Sequence, residues 1–236
     1  MNPHLFQIQT IPCALWGAES DRVLVAVHGA QSHKEDTPFH LLADTFRGCQ
    51  VLSFDLPEHG ERKAEPTLCK PPVCVHDLTA VLDYAEAGWK RVGLFAVSMG
   101  AYFSLLACGE RRVERAWFLS PVVDMGALIG SMMAWSGVSP ERLERERAIP
   151  TPMGQTLYWD YFCYVRDHPI RRWPIPTEIL AGGRDTLCGR AVTAAFAERF
   201  SCRLRTAEHA EHWFHTPEDL SALTAWLRET GGDFIR

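Results

Sequence analysis

The chain has 236 residues, 47% hydrophobic and 22% charged, with 8 Trp and 12 Phe, enough apolar matter for one substantial domain and unlike a disordered composition. A net charge of −5 and a pI near 6.1 give no electrostatic case for nucleic acid or an anionic membrane, so small molecules are the expected partners. The N-terminal MNPHLFQIQTIPCALWG lacks a basic start followed by an apolar run and reads as mature sequence, and no stretch reaches the about 18 apolar residues of a membrane span.

Leu5–Trp16 alternates loosely around Pro12 and predicts an antiparallel hairpin at a sheet edge, where proline is tolerated. A turn at Ala18–Asp21 leads to Arg22–Val27 (RVLVAV), short, β-rich and ended by His28-Gly29, hence an interior strand. Phe39, Leu42, Ala43 and Phe46 have helical spacing, Gln50–Phe54 is the next strand, and a polar, proline-rich loop is expected from Asp55 to Pro72. Val75, Leu78 and Leu82 share a helical face over Val75–Tyr84, closed by Gly88. Arg91–Val97 (RVGLFAV) is a strand, a small-residue helix runs from Ser98 to about Cys108, and Ala116–Leu119 is a strand stopped by Ser120-Pro121.

The alternation then breaks. Residues 121–174 carry Met132, Met133 and Trp135, the run ERLERER and an aromatic cluster around Tyr158–Tyr164, and predict a helical insertion above the sheet. ERLERER reads as a solvated helix face; the aromatics line a pocket or fill the insertion's own core. The alternation resumes with Thr177–Ala181, a Gly-Gly-Arg-Asp loop, a helix over Arg190–Phe200, a strand at Cys202–Thr206, a histidine-bearing loop and a closing helix over Pro217–Leu227 with Thr216 as N-cap. The expected class is α/β: a doubly wound, mostly parallel sheet built from 1–120 and 175–236, interrupted by the insertion at 121–174.

Ser98 stands between a predicted strand and a predicted helix, in Ala96-Val97-Ser98-Met99-Gly100. Small residues two before and two after let the chain turn sharply and project the hydroxyl, the context of a nucleophile elbow. A serine hydroxyl needs a base. His209, His212 and His215 all follow the last predicted strand, and His212 is preferred because it leads through Trp213-Phe214 into the final helix, the aromatics anchoring its loop. The acid that orients the imidazole is expected at Asp185, behind Gly182-Gly183 at a strand's carboxyl end, with Asp124 as its rival. The oxyanion is expected at two backbone N–H groups, from Met99 and from Ala30, with Gly29 permitting a close approach. His28 precedes the nucleophile and reads as a brace.

The stretch Asp55-Leu56-Pro57-Glu58-His59-Gly60 offers Asp, Glu and His, yet further metal ligands are not evident, so a loop stapled by hydrogen bonds is expected. No Gly-x-Gly-x-x-Gly follows the first interior strand and no phosphate-cradling Gly-Lys-Ser/Thr loop occurs, so a cofactor-free mechanism without metal is expected. Of the 8 cysteines, Cys13, Cys49, Cys108 and Cys202 fall in or beside apolar patterns as buried thiols. Cys69 and Cys74 bracket Lys-Pro-Pro-Val in a loop where a disulfide is one reading and free thiols in a reducing cytoplasm are the simpler one.

Four stations in order now carry a resemblance. VAVHGA is similar to a His-Gly oxyanion loop, SFDLPEHGER to an Asp-x-Pro-Gly-His-Gly stretch with Glu58 in place of the first Gly, VSMG with Ala96 to a Gly-x-Ser-x-Gly elbow, and GGRDTLC and AEHWFH to the acid and histidine loops of the α/β-hydrolase superfamily. The resemblance spans nearly the whole chain. It implies that residues 121–174 form a variable cap that shapes the acyl or alcohol pocket, and a Ser at the elbow sets the chain apart from relatives with Asp there. It also implies a serine hydrolase acting on a small or medium carboxylic ester through an acyl-enzyme. Thioester, peptide or amide substrates use the same triad, and a non-catalytic binding protein on this fold is the reading from another class.

Overall fold

The computed structural model describes residues 2–152 and 154–235, without the side chain of Asp233. Two compact units emerge, Met1–Val123 with Arg172–Arg236, and Asp124–Arg171.

The first unit is built on an eight-stranded sheet. In chain order its strands are β1 (His4–Ile8), β2 (Ile11–Trp16), β3 (Arg22–Val27), β4 (Gln50–Phe54), β5 (Arg91–Val97), β6 (Val113–Leu119), β9 (Thr177–Gly182) and β10 (Arg203–Ala207), with β7 and β8 in the second unit. Their spatial order is β1-β2-β4-β3-β5-β6-β9-β10; the first two pairings are antiparallel and the rest parallel. The hairpin expected at Leu5–Trp16 is there, with β1 at the edge and β2 inside. Pro12 lies just outside the β2–β4 register, which runs from Cys13 to Trp16.

The interior strands are buried on both faces and therefore read as continuous apolar runs. One face packs helices α1 (Thr37–Thr45) and α8 (Pro217–Ile235), where Trp117 meets the rings of Phe46 and Phe234 edge-on at 5.3 and 5.6 Å. The other helices of this unit are α2 (Pro71–Gly88), α3 (Met99–Ala107) and α7 (Arg190–Arg199). Register aligns the carboxyl ends: Val27 pairs Ala96, Val97 pairs Leu119, and Leu119 pairs Leu180. The loops that leave β3, β5, β6 and β9 therefore start side by side, where open sheets of this kind bind ligands.

Several boundaries depart from expectation. α2 begins at Pro71, because prolines in a first turn lack only an N–H that would have no helical partner. α8 continues through Gly231 and Gly232 to Ile235; a Cβ on Gly231 would stand 2.6 Å from the Phe46 ring, so glycine is there for close packing and not to end the helix. The second unit holds α4 (Met125–Trp135), α5 (Pro140–Glu146), which is the ERLERER run, an antiparallel pair β7 (Ala148–Pro150) and β8 (Thr156–Tyr158), and α6 (Trp159–Asp167). The small strand pair was not expected, since three-residue strands carry no readable alternation. Its buried side chains include Met125, Ile129, Met133, Leu143, Ile149 and Leu157, whereas α6, with most of the aromatic cluster, has none fully buried.

The Asp55–Gly60 loop is stapled by a buried ion pair. Asp55 accepts from the Lys34 N–H at 2.8 Å, the Lys34 ammonium at 3.0 Å and the Glu61 N–H at 3.0 Å. Burial pushes the Asp55 carboxyl up, but the Glu61 and Lys34 N–H groups and the Lys34 charge outweigh it and hold the carboxyl below its ordinary value. Lys34 is held above its ordinary value by Glu61 and Asp55, against burial. A carboxyl depressed by folding stabilises above the unfolded carboxylate pKa, and that contribution is lost as pH falls through the folded pKa. Asp55→Ala leaves the buried Lys34 ammonium with Glu61 and Glu35, both partly exposed, and the Glu61 and Lys34 N–H groups without their acceptor, and is expected to remove about 3 kcal/mol in urea denaturation at neutral pH. The difference from wild type should shrink as the solution is acidified below the carboxylate range.

Candidate active site

Ser98 lies at the junction of β5 and α3 with φ +51° and ψ −120°, a conformation that L-residues avoid. It is over-determined by its neighbours. The Ser98 N–H donates to the Leu119 carbonyl at 3.0 Å, and the Ser98 carbonyl accepts from Ala101 and Val122, both at 3.0 Å. The turn also requires small residues. A Cβ on Gly100 would stand 2.6 Å from the carbonyl oxygens of Val27 and His28, and one on Gly29 would stand 3.0 Å from Ser98 Cβ. Ala96 is fully buried in β5, paired with Val27 and Phe118, so a methyl group is accommodated at that position.

The late loop brings a histidine to the serine. His212 Nε2 lies 2.8 Å from Ser98 Oγ, and His212 Nδ1 lies 2.8 Å from Asp185 Oδ2. The other Asp185 oxygen accepts from the backbone N–H groups of Leu187 (2.9 Å) and Cys188 (3.0 Å), which fixes the carboxylate on the turn after β9. Burial pushes the Asp185 carboxyl up; the hydrogen bond and charge of His212, then the two N–H groups, outweigh it and hold the carboxyl below its ordinary value. A carboxylate opposite Nδ1 requires the proton on Nδ1, which leaves Nε2 as acceptor for the serine hydroxyl.

The rival residues are engaged elsewhere. His209 faces Asp219 at 3.3 Å and Glu218 at 3.5 Å. Asp219 also accepts from the Thr216 N–H at 3.1 Å while its own N–H donates to the Thr216 hydroxyl at 3.2 Å, a reciprocal cap on α8. His215 Nδ1 turns to the Trp213 carbonyl. Asp124 caps α4, accepting from the Ala127 N–H at 2.9 Å. His28 is a fully buried brace: its Nε2 accepts from the Leu56 N–H at 3.0 Å, and burial pushes its pKa down to about 4. Gly29 is buried beside Ser98, Ala30 opens an exposed turn, and Met99 is the first residue of α3. Phe214 anchors the histidine loop in the core, but Trp213, expected to do the same, is 72% exposed.

Cys188 was not singled out in the sequence. Its Sγ lies 3.6 Å from His212 Nδ1, so Asp185, Cys188 and His212 bring three ligand-type atoms within 4.8 Å of one another. The carboxylate and imidazole are already engaged with each other at 2.8 Å, and burial followed by the Asp185 charge drives the thiol far above its ordinary pKa. The cluster is therefore a relay with a protonated thiol beside it. The spacing Asp185-x-x-Cys188, an Asx turn that folds the thiol back toward its own carboxylate, was the signal available.

The alpha/beta hydrolase family matches residues 24–223. The chain belongs to the alpha/beta hydrolase family. Among solved structures, this hydrolase is similar to Est1E from Butyrivibrio proteoclasticus with ferulic acid bound, with TM-score 0.80 and 17% identity over 98% of this chain and 99% of that one. It is similar to alpha/beta hydrolase domain-containing protein 10 from mouse, with TM-score 0.79 and 13% identity over 99% of each chain. It is also similar to a proline iminopeptidase-related protein from Thermus thermophilus, with TM-score 0.63 and 22% identity over 96% of each. No curated protein matches it in sequence. The fold and the Ser–His–Asp relay at the elbow are those of a serine hydrolase.

The elbow's steric requirement is testable by contrast. Gly100→Ala forces a methyl into two backbone carbonyls and is expected to lower stability by about 1–3 kcal/mol in urea denaturation. Gly130→Ala on α4, where an added Cβ meets nothing within 4 Å, should instead be neutral or stabilising by up to about 1 kcal/mol.

Proposed function

We propose that this alpha/beta hydrolase is a serine esterase that cleaves a small or medium carboxylic ester. The observation that carries the reading is the continuous relay Ser98 Oγ–His212 Nε2 and His212 Nδ1–Asp185 Oδ2, each link 2.8 Å. Ser98 attacks the ester carbonyl as His212 takes its proton. The N–H groups of Met99 and Ala30 hold the oxyanion, with Gly29 keeping the backbone close. His212 then protonates the leaving alcohol, and a water activated by the same imidazole releases the acid from the acyl-enzyme. Asp185 fixes the tautomer and stabilises the imidazolium. This chemistry is complete without metal or cofactor.

Two further observations support the reading. The similarly folded Est1E is seen with ferulic acid, a carboxylic acid of the kind that ester cleavage releases. The unit Asp124–Arg171 carries Trp159, Tyr161, Phe162 and Tyr164 half-buried on α6, side chains of the kind that bind an apolar acyl or alcohol group. We place the protein in the cytoplasm, a setting favoured by its eight free cysteines. Among the described residues no helix is long and apolar enough to cross a membrane.

Labelling with a fluorophosphonate, read by intact mass, is the direct test. Wild type should take one adduct, Ser98→Ala none, and His212→Ala almost none, while His209→Ala, which loses only a support of the loop, should still take the single adduct and label far faster than His212→Ala. Unlabelled, folded wild type would overturn the reading. Against a panel of acyl esters, thioesters and peptide amides, short and medium esters should turn over fastest.

Asp185→Asn leaves the loop hydrogen bonds possible but removes the demand for a proton on Nδ1. Its kcat on the best ester should fall by about 10⁴-fold with KM little changed. A fall in KM and kcat together by a few-fold would mean that Asp185 only shapes the loop.

A further inference from the structure

Cys69 and Cys74 lie away from the relay, on the loop before α2 and in that helix's first turn. Their sulfurs are 3.5 Å apart. Cys74 is fully buried and its N–H closes the first turn by donating to the Lys70 carbonyl at 3.0 Å, while Cys69 is partly exposed. The Pro71-Pro72 pair between them starts the helix and leaves little backbone freedom in the connection. The Cys69 N–H donates to the Glu58 carboxylate at 2.6 Å, which ties this segment to the loop carrying His59.

We propose that Cys69 and Cys74 form a peroxide-reactive dithiol, with Cys69 the attacking and Cys74 the resolving thiol, closing reversibly to a disulfide. Closure shortens the separation to a bond of about 2.05 Å. The Cys69 thiolate attacks the terminal oxygen of a hydroperoxide; an S–O bond forms, the O–O bond breaks, and the alkoxide or hydroxide leaves and takes a proton from solvent. Cys69 is then a sulfenic acid. The Cys74 sulfur attacks the Cys69 sulfur, the S–O bond breaks, and the departing hydroxide takes the Cys74 proton as water. In sum, two thiols and one hydroperoxide give a disulfide, an alcohol (or water) and water.

The surroundings favour this division of roles. Hydrogen bonding to the Cys74 thiol and then, against burial, the hydrogen bond and charge of His59 pull Cys69 down to about 6. Burial disfavours a charged His59, but its hydrogen bonds to Cys69 and the Pro57 carbonyl prevail and raise it above its ordinary value. Cys69 also precedes the positive end of α2, an 18-residue helix, which favours an anion there. Cys74 is driven the other way, by burial first and then by Cys69 itself, as a resolving thiol should be before the first step. Glu58 and Asp77 are the negative charges facing the pair, and Arg62 offsets Asp77 through an ion pair at 2.6 Å.

This inference is independent of the esterase reading, and its test does not use turnover. The reduced full chain is treated with a small excess of hydrogen peroxide, quenched, and examined by intact mass and peptide mapping. The expected result is loss of two hydrogens, a Cys69–Cys74 cross-linked peptide and full reversal by dithiothreitol. Cys74→Ser should instead gain one oxygen on Cys69, trapped by dimedone, and Cys69→Ser should react at least about tenfold more slowly than wild type. If Cys74→Ser does not fold, the wild-type map with Cys69→Ser decides. A cross-link between other cysteines, or Cys69 oxidising no faster than Cys163, Cys188 or Cys202, would overturn the proposal.

Discussion

The constraint on which the site depends is the backbone of Ser98. A φ of +51° with ψ −120° is a conformation that stores roughly 1–3 kcal/mol in a residue other than glycine, and it persists because four segments converge on it. β6 takes its N–H, α3 and the loop after β6 donate to its carbonyl, and the carbonyls at the end of β3 leave room at position 100 for hydrogen only. The strain has a chemical return: it points the hydroxyl away from the helix it precedes, so Ser98 gives no side-chain cap to α3 and is free to meet His212.

The same parallel register that builds the elbow delivers the other two partners. Because β5, β6 and β9 end level with one another, the turn after β9 need reach only a short way for Asp185 to meet a histidine arriving from the loop after β10. That loop is held beyond His212, by Phe214 in the core and by the Thr216–Asp219 cap on α8. His209 belongs to this clamp through Asp219. Three histidines within seven residues thus divide into one that supports the loop, one that leans on its own backbone and one that faces the serine.

Strand–helix alternation was legible because interior parallel strands are buried on both faces and appear as unbroken apolar runs such as RVLVAV and RVGLFAV. Ser98 and Asp185 were legible because each follows such a run closely, whereas His212 comes five residues after the half-exposed strand RLRTA and was legible from its late place in the chain and its lead into the final helix. What escaped was governed by contacts between distant residues. Gly231 looks like a terminator until Phe46 is seen against it, Pro71-Pro72 looks like a loop until the helix N-terminus needs residues without an N–H, and β7–β8 is too short to alternate. Trp213 and Phe214 are adjacent aromatics, and only packing separates the anchor from the exposed ring. The loop staple was anticipated as hydrogen bonding, but its partner Lys34 lies 21 positions away in the chain and nothing local announces it.

Two cysteines stand beside histidines in this chain, and the contrast between them shows how neighbours decide reactivity. Cys188 touches the imidazole of His212, yet that imidazole is already committed to Asp185, and burial followed by the Asp185 charge opposes a thiolate there. Cys69 meets His59, whose ring is not claimed by a carboxylate side chain of its own: its Nδ1 rests on the Pro57 carbonyl. There the second thiol and the helix terminus act in the same direction as the imidazole. The two sulfurs thus differ in their surroundings: burial and then Asp185 act against a thiolate at Cys188, while Cys74, His59 and the helix terminus act for one at Cys69.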